Sequence, residues 1–431
     1  MTKILLKGGC VLTLGARSPN LRLGDVLIEG TVVAEVGVGL RARDAEQIDA
    51  TDTIVMPGFV DTHRHAWTSL FRNAGGVADG GDRTAPAAER FGPDDVYAAT
   101  LIGLFGAVEA GITTVVDWSE LPAGDGIADA AIQAHTDAGL RTVFVHVPPP
   151  SAFDRELVAR LGDAAGPATT IAFGAALAGA AGSDPGSGWA AARELGLRIH
   201  AHTTGVREVG VAELAARGLL GDDVTLVHCS ELSDTDVDAI VTSGAAISLS
   251  PTSEMADGLG APPIQPLIDR DVRFGLGVDA ERVTPGDLFA QMRATISVQH
   301  ATVFDLKLAG KAGLPKLMST RDVIRYASIE GARAVGLGSS TGSLEPGKRA
   351  DVVVLRTDRP NVFPINDPIG AVVWGMDTSN VDSVFVDGRA LVRDGTFTAD
   401  VDRARALAVA ARERISAPSG PPPGSVPEGA A

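Results

Sequence analysis

Beyond a Pro57-Gly58 breaker, short apolar runs alternate with stretches of helical periodicity, and this alternation restricts the fold more than any other feature of the chain. The runs are Phe59–His63, Ile112–Asp117, Thr142–His146, Thr170–Phe173, Leu197–His202, Val224–His228, Ala246–Ser250 and Val272–Asp279. Helical patterns fill most of the gaps: Asp94–Ala110, Ile127–Ala138, Gly188–Leu195, Glu208–Ala216 and Asp234–Thr242. Strands that are apolar on both faces must be covered on both faces, as in a parallel sheet flanked by helices. Eight such units predict an α/β fold, a closed (β/α)8 TIM barrel. Hydrophobic residues make up 45% of the chain and aromatics only 4%, so the core must rest on Val, Leu, Ile and Ala.

Short strands are expected before the barrel at Lys3–Leu6, Val26–Glu29, Val32–Val36 and Ile54–Met56. After it come helices near Pro285–His300 and Arg321–Val335, then strands at Asp351–Leu355, Ala371–Trp374 and Val381–Val386, and a charged helix at Asp402–Ile415. The two strand groups flank the barrel in sequence and are expected to pair. The predicted organisation is a small β-sandwich domain built from both chain ends (1–57 plus 345–415), a barrel over 58–344, and a disordered tail over 416–431, rich in Pro, Gly and Ala.

The net charge of −17 disfavours nucleic acid and anionic membrane as partners, since both need basic patches. Two cysteines, Cys10 and Cys229, cannot make a disulfide framework. No apolar run has the length of a signal peptide core or a membrane span, so a cytoplasmic protein is expected.

Active sites of such barrels sit at the C-terminal strand ends. Here the first run ends in His63-Arg64-His65, the fifth in His200-Ala201-His202, the sixth in His228 and the eighth in Asp279. Five of the eight histidines thus fall on one rim. Residues two apart on a strand share a face, so His63 and His65 can both point inward. Imidazole nitrogen and carboxylate oxygen are the ligands of zinc and related ions. One His-x-His pair is a weak signal; the set, distributed over strand ends, points to a metal site.

VMPGFVDTHRH resembles the first-strand signature of the amidohydrolase superfamily, and GLGVDA around Asp279 its eighth. IEGARAVGLGSSTGSLEPGKRADVVVL, from Ile329 to Leu355, is similar to that family's exit from the barrel. The resemblance extends to about Ile415 and is nearest to the branch of cytosine deaminases and triazine chlorohydrolases. It implies metal ligands His63, His65, His202 and Asp279, with His228 holding the attacking water or polarising the substrate. Asp279 then also accepts a proton. Two-metal members bridge their ions with a carboxylated lysine; no lysine occurs between Lys7 and Lys307, so one divalent metal is expected, zinc first, with iron or manganese as alternatives.

The implied chemistry is hydrolysis of a non-peptide C–N bond in a small cyclic amide, amidine or amino-heterocycle. The metal brings bound water to a pKa near ~7 and so supplies hydroxide. One position departs from the pattern. Where deaminases of this branch place a glutamate, three residues after the strand-5 ligand, this chain has Gly205. Ordinary purine and pyrimidine deamination is therefore not expected. Glu254, on the segment after strand 7, is the candidate replacement acid, weighed evenly against a solvated loop carboxylate. A lyase, hydratase or isomerase using Asp279 as base is the alternative, and a non-catalytic metal protein the least favoured. Trp67, Phe71, His146 and His200 are candidate substrate contacts, weighed against packing, loop anchoring or support of the ligands. The glycine-rich run from Asn73 is a candidate lid, weighed against a disordered loop. A homo-oligomer, dimer or tetramer, is the expected assembly.

Overall fold

The computed structural model describes residues 2–74, 87–121, 124–148, 153–177, 185–203, 210–230 and 232–416. The tail from 417, most of the glycine-rich run (75–86) and Gly205 lie outside them.

All eight apolar runs form parallel strands in one sheet, in sequence order. They are β1 (Phe59–Arg64), β2 (Ile112–Ser119), β3 (Arg141–His146), β4 (Thr169–Ala176), β5 (Ile199–His202), β6 (Val224–Val227), β7 (Ala246–Leu249) and β8 (Phe274–Leu276). Strands β1 and β2 are buried along their whole length, as helix cover on one side and barrel interior on the other require. The ladder of β8 spans three residues and does not itself pair with β1. Closure comes from an isolated parallel bridge between Arg64 and Asp279, with Asp279 N donating to His63 O at 2.8 Å. Two glycines permit this approach. A Cβ on Gly277 would meet His63 atoms at 2.8 Å, and one on Gly275 would meet Thr62 Cγ2 at 2.5 Å.

The second sheet is mixed and nine-stranded. It runs from Thr396–Phe397 through Arg389–Arg393, Val381–Val386, Val352–Arg356, Thr53–Pro57, Lys3–Val11 and Leu21–Glu29 to Val32–Gly37, with Glu46–Asp49 paired to Lys3–Val11. The two chain ends meet where Val352–Arg356 pairs antiparallel with Thr53–Pro57. Ile28, Val33, Val352 and Phe385 belong to its own core, which like the main core is chiefly aliphatic.

One expected strand is corrected. Ala371–Trp374 lies in a helical turn, Ala371–Gly375, that continues Pro368–Gly370. Pro368 starts the helix, and Arg293 on the helix Leu288–Leu308 donates to Val373 O and Met376 O, so tertiary packing overrides the β-branched pair. Two short helices after β7, Pro251–Ala256 and Ile264–Asp269, had no counterpart in the periodicity. No helix among the described residues is long and apolar enough to cross a membrane.

Candidate metal centre

Strands β1, β5, β6 and β8 deliver His63, His65, His202, His228 and Asp279 to the C-terminal end of the barrel, in two groups that share His63. The ligand atoms of His63, His65 and His202 lie within 4.8 Å of one another, as do those of His63, His228 and Asp279. Asp279 Oδ1 is 3.5 Å from His63 Nε2 and 3.2 Å from His65 Nε2. Four ligands around a tetrahedral zinc at ~2.0–2.2 Å are separated by roughly 3.3–3.6 Å, so these spacings fit donors that share an ion. His63 is 1% exposed, and its Nε2 has no hydrogen-bond partner among the described residues. A buried imidazole nitrogen left this way is costly unless something electrophilic meets it.

The electrostatics agree. Burial lowers the His63 pKa to about 4 and pushes that of His202 well below its usual value, so both imidazoles are neutral at neutral pH, the form that can bind a metal. Burial alone would raise the Asp279 carboxyl; the imidazoles of His63 and His65 beside it hold it far below the usual carboxylate range, and it is ionised. His228 differs: burial opposes its protonation, but its bond to Glu254 and the charge of Asp279 raise its pKa.

Two of these residues have strained backbones. His228 has φ 73° and Asp279 φ 67°, and Cys229 follows at φ 63°. Left-handed non-glycine residues cost about 1–3 kcal/mol each and persist where their surroundings fix them. The fixing group is the helix Pro251–Ala256. Its Ser253 hydroxyl donates to Asp279 Oδ2, while Glu254 Oε1 lies 3.0 Å from His228 Nδ1 and accepts from Ser250 N at 2.8 Å. Adjacent helical residues point about 100° apart, so one turn after β7 reaches both flanking strands. Ser253 was not anticipated from sequence. Glu254 is fully buried, which removes the solvated-loop reading.

His200 is buried on β5 with neither ring nitrogen partnered among the described residues, and burial lowers its pKa to about 3. His146 ends β3 with its Nδ1 unpartnered on the same terms, its pKa lowered by burial. Trp67 and Phe71 both pack on Phe91, with ring centroids 5.6 and 6.0 Å away, in a cluster of their own beside the barrel. The ring that does border the centre is Trp118, 5.8 Å from His63 and 5.2 Å from His202. Asp117 anchors the segment after β1: it accepts from Ala66 N at 2.8 Å and pairs with His135 Nε2 at 2.8 Å, which gives a buried helical histidine a structural task.

Residues 54–391 match the Amidohydrolase family. The chain belongs to that family. The 5'-deoxyadenosine deaminase of Methanothermobacter thermautotrophicus is 30% identical to it, over 91% of this chain and 93% of that protein. The 5-methylthioadenosine/S-adenosylhomocysteine deaminase of Symbiobacterium thermophilum is 29% identical over 91% and 94%. Among solved structures, an adenosine deaminase from Xanthomonas campestris with bound zinc superposes with TM-score 0.80 at 20% identity, covering 96% of this chain and 98% of that one. The atrazine chlorohydrolase of Arthrobacter aurescens complexed with zinc gives 0.80 at 22%, covering 95% and 100%. At those identities the two structures speak to the fold. With the family, the barrel and a divalent-metal site in place, this amidohydrolase is a hydrolase of the type that acts on carbon–nitrogen bonds.

Proposed function

We propose that this amidohydrolase binds one zinc ion and hydrolyses an amidine-type C–N bond of a small amino-heterocycle. The observation that carries the reading is a pair of ligand groups that share His63, one with His65 and His202 and one with His228 and Asp279, joined by the approach of Asp279 to His63 and His65. The relatives named for deamination of adenine compounds support the substrate class. His63, His65, His202 and Asp279 hold the ion. When bound, it supplies a Lewis acid that brings the pKa of water near ~7.

Asp279 is ionised and takes the proton of the attacking water. Its second oxygen, fixed by Ser253, lies 3.9 Å from His228 Nε2, so proton acceptor and polarising group face the same space. Glu254 acts through His228. With Nδ1 engaged by Glu254, a proton on Nε2 requires that the pair hold a second proton; the contact raises the pKa of His228, and burial raises that of Glu254, so both shifts favour a pair that holds it. His146 and His200 bring unpartnered ring nitrogens to the substrate side. Trp67 and Phe71 brace the wall through Phe91.

A second reading is favoured by the Glu254–His228 contact, because a carboxylate behind an imidazole also orients metal ligands. In that reading His228 joins the ligand set.

Ammonia release tests the proposal. The purified chain is offered 5'-deoxyadenosine, methylthioadenosine, guanine, cytosine and an aminotriazine. Release from an amino-heterocycle, abolished by chelation and restored by zinc, is the expected result. No ammonia from any of them, with chelator-sensitive water addition to or loss from another substrate, would instead establish the lyase or hydratase alternative.

A further inference from the structure

Arg64 stands between two proposed ligands in sequence and points away from them. It is fully buried, as is Asp61, and Glu281 is 5% exposed. Its guanidinium takes three acceptors at once. Nε donates to Asp61 Oδ2 at 2.8 Å, Nη1 to Glu281 Oε1, and Nη2 to Gly286 O at 2.8 Å. The other oxygen of Asp61 accepts from Val278 N at 3.0 Å and His63 N at 3.3 Å. The other oxygen of Glu281 accepts from Arg72. Two arginines therefore face two buried carboxyl groups. Gly286 leaves room for them, since a Cβ there would meet Glu281 Oε1 at 2.6 Å.

The network spans the place where the barrel is held least by regular pairing. Asp279 lies beyond the end of β8 in a left-handed conformation, and its ladder contact with β1 is one isolated bridge, to Arg64 itself. Arg64 grips both flanks of Asp279: Val278 through Asp61, and the following loop through Glu281 and Gly286. We infer that Arg64 is a positioning residue that sets the spacing between the β1 histidines and Asp279, and so the affinity of the centre for its metal. The inference rests on the proposed role of Asp279 as a ligand. Lysine cannot replace the guanidinium here, because an ammonium lacks the planar fork that meets three fixed acceptors.

The test compares zinc dissociation constants, measured by competition with a chromogenic chelator, together with melting temperatures. The control is Arg141→Lys, which disturbs another mostly buried arginine, paired with Asp351 and Asp387 away from the centre. Arg64→Lys should raise the zinc dissociation constant about 10–100-fold. Arg141→Lys should lower the melting temperature and leave zinc affinity at the wild-type value. Glu281→Gln keeps size and an acceptor oxygen, and provides a second variant if Arg64→Lys does not fold; it should weaken zinc binding in the same direction. Wild-type zinc affinity in a folded Arg64→Lys or Glu281→Gln protein would overturn the inference. Failure of the unmodified protein to bind zinc would instead overturn the reading of the centre.

Discussion

Replacing Glu254 with Gln removes the ionisable group from a fully buried site, where burial raises its pKa, while leaving its shape. The amide oxygen can still accept from Ser250 N, so the helix Pro251–Ala256 should keep its place. What disappears is the carboxyl partner of His228 Nδ1, 3.0 Å away. A hydrogen bond to a charged group contributes about 1.5–3 kcal/mol. At ~1.4 kcal/mol per tenfold, turnover should fall roughly 10–100-fold if the bond acts fully in the transition state. The pH profile should move as well. Burial lowers the pKa of His228, and Glu254 and Asp279 outweigh it; without Glu254 the balance tips down, so an alkaline limb that reports the His228 proton shifts to lower pH. The assay is steady-state ammonia release across pH, with zinc per chain measured on the same samples. Reduced turnover with unchanged zinc supports His228 as the polarising group. Loss of zinc together with turnover would refute that role and make His228 a ligand. Wild-type turnover and an unshifted profile would refute both.

Other outcomes follow from the same geometry. His63→Ala should lose both metal and activity, and elemental analysis of the unmodified chain should give close to one ion; two firmly bound ions would contradict the single centre. Asp279→Asn should cut turnover by roughly 10²–10⁴ while some zinc remains, because the amide oxygen is a weak ligand; full activity would rule out Asp279 as the base. For Asp117 and Glu281, burial raises the pKa, but His135 and the two arginines respectively outweigh it. Carboxyls depressed in the folded state contribute stability that is complete above their unfolded values, near about 4, and lost as pH falls through the folded ones. The melting temperature should therefore drop progressively below about pH 4, and a flat profile down to pH ~3 would sink the assignment.

The barrel was legible because its signal is long-range and redundant. Eight apolar runs recur at the spacing of βα units, and an error of two residues at any boundary does not change the count. The run Ala371–Trp374 shows where that method stops. Four apolar residues fit a strand or a buried helical turn equally well by pattern, and Arg293, some eighty positions earlier in the chain, decides between them. The clustering of the rim histidines was legible for another reason: strand ends are fixed by the fold, and polar residues there are conspicuous against apolar strands. The residues that hold them were not. Ser253 reaches Asp279 and Glu254 reaches His228 only because a helical turn follows β7, and that helix is too short to show a period. Arg64 looked like the spacer of a His-x-His motif, and its acceptors at 281 and 286 are adjacent only once the barrel closes.

Gly205 is where sequence and chemistry pull apart most sharply. The relatives deaminate adenine compounds, and deaminases of this branch place a carboxylate at that position to protonate the ring nitrogen as water attacks. Glycine has no group to do so. One oxygen of Glu254 is bound to His228 and Ser250 N, and the other is buried without a hydrogen-bond partner among the described residues. A proton relayed by the bonded oxygen passes through His228, which in the proposed function meets the substrate from β6 rather than from β5. A general acid typically contributes about 10²–10⁴-fold, so adenosine, guanine and cytosine should turn over more slowly than in a glutamate-bearing relative by that order. A substrate whose leaving nitrogen lies on the His228 side should escape the penalty. Gly205→Glu decides the matter: a gain in ammonia release from adenine nucleosides would show that the missing acid sets specificity. Efficient release by the unmodified chain, unimproved by the added carboxylate, would show that His228 with Glu254 already does the glutamate's work.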